Sequence, residues 1–221
     1  MVGIGHRITA SPLHCRVIFL IRHGETAWSL SGQHTGKTDL PLTSAGEVEA
    51  RRLRAHVDLI LEAELGPRPP GAQFDAAFSS PRRRARDTGR LSGLTPDAEV
   101  REDLAEWDYG DYEGLTSVEI QARQPDGVVW NVFRNGCPNG ESPEQMTARV
   151  DGVISWLRTF EGHVAICAHG HFGRALGARW IGLPIADAGR LLLSTASVSI
   201  LDYEHNDPAR PAIKLWNEVA R

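Results

Sequence analysis

Two short apolar runs constrain this chain more than any other feature. Val17-Ile18-Phe19-Leu20-Ile21 and the run from His163 to Ala168 each read as a buried strand. The first delivers Arg22 and His23 to its carboxyl end, followed at once by Gly24. The second delivers His169-Gly170-His171. In open α/β sheets, ligands bind at the carboxyl ends of strands. An imidazole beside a guanidinium there, on a turn where glycine lets a substrate approach the backbone, reads as an anion-binding nucleophile. Taken alone, Arg22-His23-Gly24 reads as a surface histidine at a strand end; the rest of the chain overturns that.

Further strands and helices alternate along the chain. Ser29 to Leu42 reads as a loop over the strand ends. Thr43, or Ser44, is a good N-cap for a helix reaching Leu65, with Leu53, Val57, Ile60 and Leu61 at helical spacing. Pro67 to Gly71 ends it. Ala76 to Ser79 reads as a strand and Ser80-Pro81 as the start of a helix. Asp97 to Glu102 reads as a short strand, and 109–139 as irregular with a helix from Thr116 to Arg123. A helix follows from Ser142-Pro143-Glu144 to about Phe160, and another after His171 to about Gly182. Ser197 to Tyr203 and Ala212 to Trp216 read as final strands, the last at an edge and a candidate homodimer surface. This alternation predicts a single three-layer αβα domain of the α/β class with a mostly parallel central sheet. Residues 1–14 read as a loose leader and 15–221 as the domain.

The 221 residues are 41% hydrophobic and carry a net charge of −4. That balance gives no electrostatic reason to bind nucleic acid or an anionic membrane, so an anionic substrate must be drawn by a local arginine cluster. No apolar run approaches the roughly 20 residues of a membrane span. The cysteines, Cys15, Cys137 and Cys167, are odd in number and scattered, which fits a reducing cytoplasm, with Cys167 a core residue.

Four places point to phosphate chemistry: Arg22-His23-Gly24, the segment Ser79 to Thr88 with its arginines, the acidic aromatic loop Leu104 to Gly110, and His169-Gly170-His171. Phosphoryl transfer needs an in-line nucleophile, positive charge around the equatorial oxygens and a proton for the leaving oxygen. The chain carries no Walker A loop and no phosphatase-type cysteine signature, and a neutral imidazole can serve as nucleophile. Arg22, Arg84 and His169 are candidates to surround the transferring group, and Glu106 to protonate the leaving alkoxide. Residues three or four apart share a helix face, so Arg82, Arg83 and Arg86 read as a solvated basic face. A metal hydrolase built on His23, Asp108, His169 and His171 has suitable ligand types and is one rival reading.

The sequence resembles the histidine phosphatase superfamily, the phosphoglycerate-mutase-like proteins, from about Arg16 to Leu201. The resemblance rests on Arg22-His23-Gly24-Glu25-Thr26, Thr35-Gly36 with Asp39-Leu40-Pro41-Leu42-Thr43, and Ser80 with Arg84-Ala85 and Thr88. It continues in Glu106 with Tyr109-Gly110, in Gly140-Glu141-Ser142 and in His169-Gly170. It implies His23 as the phosphorylated nucleophile, Arg22, Arg84 and His169 as the phosphate pocket, and Glu106 as proton donor. Ser29, Thr35, Gly36 and Tyr109 stand where members contact the rest of the substrate. No metal or organic cofactor is implied.

Within the family, mutases carry a long insertion after the Glu106 loop, and Leu115 to Asn139 is too short to hold it. Ser29 and His171 replace residues usual in mutases. The resemblance is therefore to phosphatases, above all the sedoheptulose-1,7-bisphosphatase and small acid phosphatase types, with a phosphoglycerate mutase-like phosphotransferase and a non-catalytic binding protein on the same scaffold as the alternatives. It is carried by Trp28-Ser29-x-Ser31-Gly32-Gln33-x-Thr35-Gly36, Glu106-Trp107-x-Tyr109-Gly110-Asp111-Tyr112-Glu113-Gly114 and Trp130-Asn131-x-x-Arg134-x-Gly136-Cys137. A small phosphorylated metabolite, a sugar phosphate or bisphosphate, is the expected partner. Arg134, His171 and Arg174 are candidates to hold its distal phosphate or hydroxyls. Trp28, Trp107 and Trp130 read as core residues rather than sugar platforms.

Overall fold

The structure, a computed structural model, describes residues 17–65 and 74–220. The leader at 1–14, Cys15 and the Pro67–Gly71 helix end lie outside the described residues. In chain order the elements are β1 (Val17–Arg22), α1 (Ala27–Ser31), α2 (Ser44–Leu65), β2 (Ala76–Ser79), α3 (Arg83–Ser92) and β3 (Glu99–Val100). There follow α4 (Ser117–Gln121), α5 (Val132–Asn135), α6 (Pro143–Leu157), β4 (His163–Ala168), α7 (Gly170–Trp180), β5 (Ser197–Tyr203) and β6 (Pro211–Val219).

The strands form one sheet in the order β3-β2-β4-β1-β5-β6. Strands β1 to β4 run parallel, and β5 alone is reversed, pairing antiparallel with both β1 and β6. β1 shows why both faces are covered. Val17, Phe19 and Ile21 pack with Leu53, Val57 and Leu61 of α2 and Ala85 of α3. Ile18 and Leu20 point the other way, into a core shared with Met146, Val150 and Val153 of α6 and Phe172 and Leu176 of α7. A strand with period-2 side chains and no polar face can only lie between two helical layers. Fully burying each such side chain stabilises the fold by roughly 1.5–3 kcal/mol.

The helix starts follow from local chemistry. Thr43 Oγ1 accepts the Gly46 N–H at 3.0 Å ahead of α2. Ser142 and Gln145 close a reciprocal capping box on α6, with Pro143 in its first turn. Thr116 and Glu119 do the same for α4. Several boundaries differ from the sequence reading. The Ser29–Leu42 stretch is not all loop, because a Thr26–Ser29 capping box winds 27–31 into α1. The strand expected over 97–102 shrinks to two exposed residues, which have only β2 as a neighbour. α6 ends at Leu157 and α7 at Trp180, while β6 extends to Val219 at the sheet edge. Among the described residues no helix is long and apolar enough to cross a membrane.

Candidate active site

Sheet register assembles the site. Arg22 of β1 is level with Ala168 of β4, so the next residues, His23 and His169, emerge side by side. Their ring centroids are 5.2 Å apart, edge to face. Ser79 of β2 is level with Cys167, which places Ser80 beside them. The Ser80 hydroxyl lies 2.6 Å from His169 Nε2.

His23 is buried, and its Nδ1 lies 2.7 Å from the Gly24 carbonyl oxygen. A carbonyl only accepts, so Nδ1 carries the proton and Nε2 keeps its lone pair. Burial, then the nearby Arg84 and Arg22 charges, hold His23 well below the usual histidine range. It is a neutral imidazole at physiological pH. Gly24 has a different reason from the one expected. A Cβ there would stand 2.5 Å from the carbonyl oxygen of Gly46, so glycine lets the turn pack against the first turn of α2 rather than against a substrate.

Arg84 is fully buried, its terminal nitrogens donating to the carbonyls of Thr35 at 2.8 Å and Thr38 at 3.0 Å. Arg22 donates to the Leu193 carbonyl and packs against Gly170, where a Cβ would lie 3.3 Å from its guanidinium carbon. The Nε of Arg22, the Nε of Arg84 and the Nδ1 of His169 are buried without a hydrogen-bond partner among the described residues. Buried polar atoms are almost always satisfied, so three such atoms around one histidine mark a functional site. Burial, then Arg84 and His23, also hold His169 well below its ordinary value.

Glu106 bridges the loop after β3 to the start of α7. Its Oε1 accepts the N–H groups of Trp107 (2.9 Å) and Phe172 (2.8 Å), and its Oε2 that of His171 (3.0 Å). What holds this loop lies far from it in the chain and leaves no local sequence signal. Arg149 of α6 grips Glu141 through two bonds of 2.8 and 2.7 Å and donates to the carbonyls of Asp103 and Ala105. Trp107 donates to the Glu141 carbonyl at 2.8 Å, and its side chain is wholly core.

A pocket of about 220 Å³ opens at His23, lined by Arg22, Glu106, Ser29, Thr35, Tyr109, His171 and Arg174 among others, while the wholly buried Arg84 and His169 are not among its lining residues. Tyr109 and His171 are joined through the Tyr109 hydroxyl and His171 Nδ1. Arg174 spends Nε and one terminal nitrogen on the carbonyls of Ala188 and Gly189. Trp28, Gln33 and His34 also line the pocket. Of these, His34 had no sequence signal, since it falls at an unassigned position of its motif.

The placement of four residues bears on their expected roles. Arg134 is exposed on α5 and does not line the pocket, because that short helix turns Val132 and Phe133 inward instead. Ser29 lines the pocket, but its hydroxyl donates to the Thr26 carbonyl and accepts the Thr26 N–H, capping α1. Gly36 gives its N–H to both carboxylate oxygens of Glu113. Arg82 is half-buried, with its Nε unpartnered, rather than solvated like Arg83 and Arg86. Among the described residues, no group of three or more His, Cys, Asp and Glu side chains is arranged to hold a metal ion. Cys137 and Cys167 are buried and unpaired, and burial pushes both thiols up to about 12.

Arginine and histidine donors gathered at the carboxyl ends of parallel strands, around a neutral imidazole, define an α/β phosphatase. The chain belongs to the histidine phosphatase superfamily, branch 1, whose family model matches residues 18–219. It is 42% identical to an acid phosphatase of Mycobacterium tuberculosis, over 85% of this chain and 87% of that protein. It is 31% identical to the sedoheptulose 1,7-bisphosphatase of Saccharomyces cerevisiae, over 89% and 90% of the two chains. The solved structure of the Rv3214 reading frame of Mycobacterium tuberculosis superposes with a TM-score of 0.80 at 38% identity, covering 93% of this chain and 98% of that one.

Proposed function

We propose that this protein hydrolyses the phosphomonoester of a small sugar-like metabolite through a phosphohistidine at His23. The observation that carries this reading is the fixed tautomer of His23 among unpartnered nitrogens of Arg22, Arg84 and His169. Nε2 attacks phosphorus in line, the ester P–O bond breaks, and Glu106 passes a proton to the leaving alkoxide. Arg22, Arg84 and His169 donate to the equatorial oxygens as charge shifts in the transition state. Water then attacks the phosphohistidine, Glu106 takes back a proton, and the P–N bond breaks to release phosphate. Thr35, Tyr109, His171 and Arg174 bind the leaving group. Similarity to a sugar bisphosphatase supports the sugar-phosphate class. Buried, unpaired thiols fit a cytoplasmic setting.

The segment 115–139 supports hydrolysis over internal transfer. It forms only α4, α5 and their connections, and its two arginines, Arg123 and Arg134, are both exposed, so it offers no basic shield against water. The test is phosphate release in excess EDTA across sugar monophosphates, sugar bisphosphates, phosphoglycerates and an aryl phosphate, with His23→Ala alongside. Wild-type turnover with an acid-labile phosphoenzyme, both lost in His23→Ala, is expected. Retained turnover in His23→Ala, or its loss on chelation, overturns the mechanism.

A further inference from the structure

One wall of the pocket is built around a residue with no assigned role. The His34 ring lies 4.8 Å from Tyr109 and 5.5 Å from His171, tilted 36° and 34°, and meets Trp130 edge-on at 5.3 Å. Its position is fixed three ways. The His34 N–H donates to the Leu115 carbonyl at 2.9 Å, its own carbonyl accepts the Gly114 N–H at 2.9 Å, and its Nε2 lies 3.1 Å from the Ser117 hydroxyl. Gln33, beside it, donates to the Gly114 carbonyl at 2.7 Å. With Nε2 held by Ser117, Nδ1 makes no hydrogen bond among the described residues, and the side chain lines the pocket.

Packing alone does not call for an imidazole here, since any aromatic ring fills a stack between Tyr109 and Trp130. What histidine adds is one further polar atom that is anchored in place. Burial lowers His34 to about 4 and holds His171 well below its ordinary value, so both rings are neutral at pH 7. Neutral imidazoles attract neither a carboxylate nor a phosphate strongly, but each offers a hydrogen bond suited to a hydroxyl.

We infer that His34 is a specificity-determining residue whose Nδ1 reads a hydroxyl of the leaving group, so that the pocket selects phosphates of polyols and sugars over those of plain alkyl or aryl alcohols. This rests on the phosphatase reading above. A site built to hydrogen-bond a substrate hydroxyl rejects an analogue lacking it, because its own polar group is then left unpaired.

Two near-isosteres separate the ring nitrogens. Asparagine places its amide near Nδ1, and glutamine places its amide near Nε2. The readout is the ratio of kcat/KM for a sugar phosphate to that for 4-nitrophenyl phosphate, which cancels effects on the phosphate pocket itself. His34→Asn is expected to stay within about 3-fold of the wild-type ratio. His34→Gln and His34→Phe are expected to lower it by about 10-fold or more, chiefly through KM. The reverse order, with glutamine preserving the ratio and asparagine losing it, assigns His34 a structural tie to Ser117 and overturns the inference. An unchanged ratio in all three variants overturns it too. A wild-type enzyme that cleaves the aryl phosphate but shows no preference for hydroxylated substrates refutes the inference and leaves the phosphatase reading intact. Absence of both turnover and phosphoenzyme refutes both.

Discussion

The carbonyl oxygen of Gly24 accepts the Nδ1–H of His23 at 2.7 Å, and so decides which nitrogen of the histidine can react. The bond joins adjacent residues, but its reach depends on the turn. That turn is pinned by the Gly24 N–H donating to Thr88 Oγ1 at 3.0 Å and by contact with Gly46. Thr88 in turn donates to the Arg84 carbonyl at 2.7 Å, tying the nucleophile's turn to the helix that carries the buried arginine.

The acid limb of kcat/KM follows from the same geometry. Only unprotonated His23 attacks, and burial with Arg84 and Arg22 lowers its pKa. The active base form therefore persists to lower pH, and the acid limb for an aryl phosphate is expected below pH 6.5. A pH profile with its acid limb at or above 6.5 contradicts the assignment.

Replacing Glu106 by glutamine removes the proton while keeping the shape. Phosphate release from sugar phosphates is expected to fall by roughly 10²–10⁴-fold, with a much smaller loss for an aryl phosphate whose leaving group needs no strong acid. Equal losses on both substrates would assign Glu106 another role. Both Glu106 oxygens accept backbone N–H groups, so the amide must turn its NH₂ toward one of them. A destabilisation of about 1–3 kcal/mol is expected alongside, read from denaturant midpoints.

Arg149 is the positioning residue for Glu106. Arg149→Met leaves the Glu141 carboxylate and the carbonyls of Asp103 and Ala105 without their donor. With the Arg149–Glu141 pair largely buried, a loss of about 3–5 kcal/mol is expected. In the folded fraction, kcat for sugar phosphates should fall more than kcat for aryl phosphates, as Glu106 loses its placement. A uniform kcat loss would mean that Arg149 serves stability alone.

Stability should drop on the acid side. His23, His34, His169 and His171 all have folded-state pKa values lowered by burial. The unfolded chain then binds more protons than the native one below about pH 6.5, so stability rises with pH through that range and is lost as pH falls. For His34 the loss runs from about pH 6.5 down to about 4. The thermal midpoint is expected to fall steadily over that window, and His34→Phe should flatten the slope. A midpoint independent of pH between 4 and 6.5 would refute the neutral assignment of these rings.

Much of the architecture was legible because its signals are local. β1 and β4 stand out as apolar runs, and capping residues such as Thr43, Ser142 and Thr116 mark their helices. The aromatic stack on His34 and the Arg149 clamp were not legible. Both join segments far apart in the chain, and neither residue type nor spacing reveals which surface a side chain will meet. Arg134 shows the opposite failure: a suggestive cation near a motif, turned to solvent because Val132 and Phe133 take the buried face of α5.

By itself, the sequence determined the alternating strands and helices, the family motifs, and the presence of two histidines at two strand ends. Only the tertiary structure decided that those ends lie level, because register between β1 and β4 is set by core packing across the whole sheet. It likewise decided the charge state of the histidines, since burial among arginines, rather than residue identity, sets the cost of adding a proton.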